Sequence, residues 1–214
     1  MNIFAASSIG PGHNENQDWF DYALGETNIL VVADGAGSQA DSAAGARLVC
    51  NAIIEAVFAY GATPLEAIEL ARDTLLEEPN HAQMGCTVAL AIEVGPVWDV
   101  AIVGDSYAIV EQAGELSLLE APPISEFANI TTLMNSKNFK VQEFSGLTNV
   151  DAIALSTDGL YHSTVQAGAP VERFWTPIFE RAKSNSLEIP ELFAYMDGKE
   201  LLSDDTTLIV ATKD

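Results

Sequence analysis

A chain of 214 residues, 48% hydrophobic and only 19% charged, holds enough apolar material for one sizeable core and is not a disordered polymer. Its 9 Lys and Arg residues stand against 31 Asp and Glu, and the formal charge of −22 repels nucleic acid and anionic membrane as partners. Cys50 and Cys86 sit in apolar contexts without metal-ligand or disulfide-framework spacing, as buried small hydrophobes of a reducing compartment.

The first eight residues have no basic region before a continuous apolar run and do not read as an export signal, and no apolar stretch approaches the length of a membrane span. The expectation is a single domain over 1–214 in the cytoplasm. Residues 3–8 and 19–23 read as short strands around a polar, turn-rich loop, Gly10-Pro11-Gly12-His13-Asn14-Glu15-Asn16-Gln17-Asp18. Ile29–Ala33 is an apolar, mostly branched run, the pattern of a strand buried on both faces, and it stops at Asp34-Gly35-Ala36-Gly37. A carboxylate at the end of a core strand is costly to bury unless something pairs with it, and glycine lets a ligand approach the backbone closely. Taken alone, this reads first as a strand followed by an ordinary Asp-Gly turn. It recurs, however: Gly104-Asp105-Ser106, Ser156-Thr157-Asp158-Gly159 and Asp204-Asp205-Thr206-Thr207 each place Asp beside an apolar strand-like run. Several carboxylates delivered to strand ends make a cation site.

After the central strand, Asp41 or Ser42 can cap a long helix to about Tyr60, and Thr63-Pro64-Leu65-Glu66 is a capping box opening a second, to about Glu77. Thr87–Glu93 and Val97–Val103 form a hairpin around Val94-Gly95-Pro96, and Tyr107–Glu111 and Leu116–Leu119 another around Ala113-Gly114. Residues 120–136 read as a loop or flap, Lys137–Phe144 as an edge strand and Val150–Ser156 as a buried strand. Helices over 171–182 and, more weakly, 190–202 precede a closing strand at 206–211. Helices grouped away from hairpins imply an α+β fold, an α/β/β/α four-layer sandwich of two packed antiparallel sheets flanked by helix pairs.

In their order and spacing, Asn16-Gln17-Asp18, Val32-Ala33-Asp34-Gly35-Ala36-Gly37, Gly85-Cys86-Thr87, Gly104-Asp105-Ser106, Ser156-Thr157-Asp158-Gly159 and Asp204-Asp205-Thr206-Thr207-Leu208 resemble the metal-dependent protein phosphatases of the 2C type over nearly the whole chain. Glu126-Phe127-Ala128-Asn129-Ile130-Thr131-Thr132 looks like a compact bacterial branch of that family. The resemblance implies a binuclear Mn²⁺ or Mg²⁺ site. Asp34 would bridge the metals, the Gly35 carbonyl would add a ligand, Asp158 and Asp204 would hold the second metal, and Asp18 would bind directly or through water. Asp105 matches a further, weaker metal site. Hard divalent cations of this kind take oxygen ligands. The implied activity is hydrolysis of phosphoserine and phosphothreonine by a water or hydroxide bridging the two metals, on a phosphorylated protein tied to a serine/threonine kinase, by a monomer.

Relatives carry an arginine three residues before the Asn-Gln/Glu-Asp motif. Here that region holds His13, either a titratable replacement for the phosphate-binding arginine or a loop histidine serving local hydrogen bonds. Asp205 stands where relatives have Asn and is read as supporting. His81 and His162 lack ligand spacing and read as surface or loop residues. Two other readings compete: a pseudophosphatase acting as a phosphoprotein-binding module, which has no use for so many costly acids, and a hydrolase of small phosphates. The latter expects basic residues for its leaving group, whereas residues 1–46 contain no Lys or Arg.

Overall fold

The computed structural model describes residues 1–122 and 131–213. Most of the Glu126–Thr132 stretch, and with it part of the expected flap, lies outside the described residues. In chain order the elements are β1 (Asn2–Ser8), β2 (Trp19–Ala23), β3 (Thr27–Ala33), α1 (Ser42–Tyr60), α2 (Pro64–Glu77), β4 (Val88–Val94), β5 (Val97–Val103), β6 (Tyr107–Gln112), β7 (Glu115–Glu120), β8 (Gln142–Thr148), β9 (Val150–Ser156), α3 (Tyr161–Thr164), β10 (Val165–Gln166), β11 (Ala169–Pro170), α4 (Glu172–Lys183), α5 (Ile189–Asp197) and β12 (Thr206–Thr212).

Two five-stranded sheets carry the fold, in the orders β1-β12-β9-β6-β7 and β2-β3-β4-β5-β8; β10 and β11 form a separate short ribbon. All pairings are antiparallel among the described residues. The strand period of two divides the apolar residues cleanly. Leu30, Val32, Ala89, Ala91, Val100, Ile102, Ala108, Val110, Ile153, Leu155 and Ile209 fill the space between the sheets. Their alternates Ile29, Val31, Leu90 and Ala101 face outward under α1 and α2. On the other side Ile109, Ala154, Leu208 and Val210 pack under Trp175, Phe179 and Phe193 of α4 and α5. The four-layer α/β/β/α sandwich is therefore the observed architecture, and β3 is buried on both faces because each has its own layer.

The capping box of α2 is complete: Thr63 accepts from the Glu66 amide, and the Glu66 side chain accepts from the Thr63 amide. α1 differs from expectation at its start, because Asp41 makes no side-chain cap and instead accepts from Asn80 Nδ2 at 2.7 Å. α1 is also long and apolar enough to cross a membrane, contrary to the sequence reading. Its Val49, Cys50, Ile53 and Ala56 are nonetheless packed into the core as a stripe at helical spacing. β8 begins at Gln142, later than expected, because Phe139 turns in under Arg72 of α2, 4.7 Å from guanidinium to ring centroid. α5 stops at Asp197, short of the expected Leu202; α3 and the β10–β11 ribbon, too brief for a periodic signal, were not expected.

Candidate metal centre

The registers bring the acidic loops to one end of the sandwich. Trp19 pairs with Ala33, so Asp18 and Asp34 lie just beyond the same end of the β2–β3 ladder. In the other sheet Ser156 pairs with both Leu208 and Tyr107, so Asp158 follows β9 where Asp204 and Asp205 precede β12 and Asp105 precedes β6. Asp105 sits on the connection by which the chain leaves one sheet (β5) and enters the other (β6). Gly104 makes that crossing at φ +87°, a left-handed conformation costly for any side chain, and a Cβ there would lie 2.6 Å from Thr87 Cγ2. Gly35 is fixed by crowding instead: a Cβ would meet the Gln17 carbonyl oxygen at 2.6 Å and Ser42 backbone at 2.9 Å.

Carboxylate oxygens of Asp34, Asp105 and Asp158 lie within 4.8 Å of one another, and those of Asp204 and Asp205 lie equally close to a ring nitrogen of His13. Asp18 is 4% exposed; one of its oxygens accepts from Thr157 Oγ1 at 2.7 Å, while Oδ1 is buried with no hydrogen-bond partner among the described residues. Burial pushes the Asp18 carboxyl up to about 7, against the lowering hydrogen bonds from Thr157 and Thr207 and with the charges of Asp205 and Asp158 adding to it. Burial, followed by repulsion from Asp18, Asp158, Asp105 and Asp204, holds Asp34 well above the ordinary carboxylate range. Asp158 rises to about 6, again first through burial and then through Asp105 and Asp204, partly offset by a hydrogen bond with Asp34. Mutual repulsion among these carboxylates, together with an orphaned buried oxygen, is relieved by a divalent cation on oxygen donors, so the residues present fit such a group.

The remaining contacts hold this arrangement in place. Asp205, 3% exposed, accepts from the Gly10 and Gln17 amides at 2.6 and 2.7 Å, and His13 Nδ1 lies 3.0 Å from its Oδ1 and 3.6 Å from Asp204 Oδ1. It thereby ties the 10–17 loop to the start of β12. Ser106 and Thr87 share a hydroxyl hydrogen bond at 2.7 Å beneath the Asp105 turn, and Gln17 Nε2 donates to Ser42 Oγ. Thus Asp34, Asp105 and Asp158 form one group, His13 and Asp204 another with Asp205, and Asp18 is buried among their charges. Sequence reasoning did not single out Thr157, whose hydroxyl beside a ligand-type aspartate was the available signal. His81 opens a short 3-10 turn, His81–Gln83, rather than lying in a loop, and its Nδ1 is 2.8 Å from the Glu78 carbonyl oxygen. His162 is exposed, yet its charge lowers the Asp158 carboxyl, a proximity its spacing did not reveal.

A family model described as protein phosphatase 2C matches residues 12–194, most of the chain, including His13, Asp18, Asp34, Asp105 and Asp158 but not Asp204 and Asp205. The chain belongs to the protein phosphatase 2C family. No curated protein matches it. Among solved structures, a bacterial serine phosphatase superposes on this 2C phosphatase with a TM-score of 0.72 at 18% identity, over 100% of this chain and 98% of that one. The S. agalactiae serine/threonine phosphatase gives 0.72 at 17% identity, covering 99% of each chain. The catalytic domain of the serine/threonine protein phosphatase PstP, solved with 2 manganese ions, gives 0.67 at 19% identity, over 98% of this chain and 96% of that one. At such identities the likeness is one of fold, and it extends over the whole 2C phosphatase chain.

Proposed function

We propose that this 2C phosphatase hydrolyses phosphoserine and phosphothreonine monoesters on a phosphorylated protein, using two Mn²⁺ or Mg²⁺ ions held at the acidic end of the sandwich. The observation that carries this reading is the convergence of Asp34, Asp105 and Asp158 within 4.8 Å, beside a buried Asp18 oxygen that has no hydrogen-bond partner among the described residues. Asp34, with the Gly35 carbonyl, Asp18, Asp158 and Asp204 would hold the two ions, and Asp105 a further, weaker one. When bound, such ions supply Lewis acidity: they neutralise phosphate charge and acidify water for in-line attack.

The protein's own residues prepare that chemistry. Thr157 fixes one oxygen of Asp18, while Oδ1, buried with no hydrogen-bond partner among the described residues, would be available to hold a cation, and burial raises the carboxyl to about 7. Asp205 holds the 10–17 loop against Asp204, so His13 is presented beside a ligand carboxylate. With Nδ1 at Asp205, Nε2 is the ring nitrogen available to the substrate phosphate, the contact we assign to His13. The substrate protein is the partner or target of a serine/threonine kinase in bacterial signalling. The enzyme acts as a monomer in the cytoplasm, the compartment being the reading that its two free, buried cysteines support.

The test is release of phosphate from a phosphothreonine peptide and from p-nitrophenyl phosphate by the purified chain, with chelator and with added Mn²⁺. Metal-dependent turnover of both is expected. No turnover at saturating Mn²⁺ would instead favour the phosphoprotein-binding module, a reading against which the retained carboxylates argue.

A further inference from the structure

One carboxylate of the centre is held from a segment outside the sheets. Thr131 Oγ1 donates to Asp105 Oδ2 at 2.6 Å. Thr131 is the first described residue after position 130, and the stretch it opens is firmly moored. The Met134 amide donates to the Cys86 carbonyl at 2.8 Å, and the Met134 side chain is fully buried in the core under α1 and α2. Asn135 Nδ2 donates to Gln39 Oε1 and to the His81 carbonyl, both at 2.9 Å. Arg72 of α2 donates to the Ser136 carbonyl at 3.1 Å and covers the Phe139 ring. Asp105 itself is exposed, lies on a loop and carries no other side-chain hydrogen bond among the described residues. Among the described residues, its rotamer is therefore held by the Thr131 hydroxyl.

We propose that Thr131 is a positioning residue: its hydroxyl fixes one oxygen of Asp105, so that the other faces the Asp34–Asp158 pair and Asp105 can hold divalent metal. This inference rests on the metal reading of the site and adds a residue that no strand-end motif contains. The energetic logic is that of any outer hydrogen bond to a ligand. An unrestrained exposed carboxylate loses side-chain freedom on binding, whereas one already oriented loses less, and removing such a partner weakens metal affinity by about tenfold or more. The mooring of residues 134–139 makes Thr131 a fixed point rather than a swinging side chain.

The experiment measures Mn²⁺ binding to the chelator-stripped full chain without substrate, by the electron paramagnetic resonance signal of free Mn²⁺, for wild type, Asp105→Asn, Thr131→Val and Thr131→Ser. Asp105→Asn should remove the weaker class of Mn²⁺ binding. Thr131→Val, equal in shape but without the hydroxyl, should shift the midpoint of that class upward by about tenfold, leave the tighter class in place, and leave the metal-free melting temperature unchanged. Thr131→Ser should restore it to within about twofold. If Asp105→Asn removes the weaker class while Thr131→Val does not move it, or if serine fails to rescue, Thr131 has no positioning role. If Asp105→Asn leaves Mn²⁺ binding untouched, the metal reading of Asp105 falls and this inference falls with it.

Discussion

Replacing Asp18 by Asn should stabilise the metal-free protein above neutral pH, although it removes a carboxylate proposed to hold metal. The folded-state carboxyl is raised to about 7, whereas in the unfolded chain it titrates near the ordinary value of about 3.9. Below about pH 4 both states hold the proton and the group is indifferent to folding. Between about 4 and 7 only the folded state holds it, so metal-free stability falls as pH rises, and above 7 the full cost of a buried charge is present. A span of about three pH units corresponds to roughly 4 kcal/mol, and sharing of protons among Asp18, Asp34 and Asp158 brings the realised penalty to about 2–4 kcal/mol. Asparagine keeps an oxygen to accept from Thr157 and carries no charge. For a chain of this size each kcal/mol moves the melting temperature by about 2–4 °C. In chelator at pH 8, Asp18→Asn should therefore melt roughly 5–15 °C above wild type, and its stability should be flatter across pH 4–7. Differential scanning calorimetry in chelator at several pH values checks this. A variant that melts below wild type at pH 8, or a wild type whose metal-free stability does not fall between pH 4 and 7, would refute the reasoning.

Saturating Mn²⁺ or Mg²⁺ should raise the wild-type melting temperature by several degrees and chelation should lower it, whereas Asp18→Asn should gain less from metal; identical melting curves would contradict the site. Asp34→Ala should lose most phosphatase activity at any Mn²⁺ concentration, read as phosphate release from a phosphothreonine peptide. His13→Ala should raise KM more than it lowers kcat, and His13→Arg should lower KM most above neutral pH, where a neutral imidazole is a weak phosphate ligand; kinetics over pH 6–9 decide this, and unchanged KM in both variants would leave His13 only its contact with Asp205. Gly35→Ala should destabilise the fold by about 1–3 kcal/mol in chelator, because its methyl group meets Gln17 and Ser42 backbone that cannot withdraw; urea melts measure it.

The fold was legible wherever a residue pattern had a single physical outcome. Ile29–Ala33 has no polar face, so it needed a layer on each side, and two sheets with outer helix pairs supply them. Thr63-Pro64-Leu65-Glu66 encodes its own helix start, and both hydrogen bonds of the box are made. Asp41 carries an equally good cap residue type, but a partner distant in sequence, Asn80, competes for its oxygen, and propensity contains no such partner. The start of β8 was missed for a similar reason, since Phe139 is as apolar as a strand residue and its place under Arg72 is decided by tertiary contact. In the site, the aspartates were visible because carboxylates at strand ends are expensive. Thr157, Thr131 and the hold of Asp205 on the 10–17 loop were not visible, because each acts across a large separation in sequence on a group that looks complete without it.

β12 lies inside its sheet, between β1 and β9, although it comes after every other described element in the chain. Until Thr206–Thr212 exists, β1 has no neighbour to pair with, and β9 lacks one of its two. Asp205, immediately before that strand, is also the residue that captures Gly10, His13 and Gln17. A nascent chain that has already made Asp18, Asp34, Asp105 and Asp158 thus still lacks an inner strand of the sheet that carries Asp105 and Asp158, and the clasp on its first loop. Closure across so long a loop is slow relative to local pairing, so competence arrives late and all at once. Emerging copies of the chain therefore lack the completed sheet and the Asp205 clasp until β12 clears the ribosome.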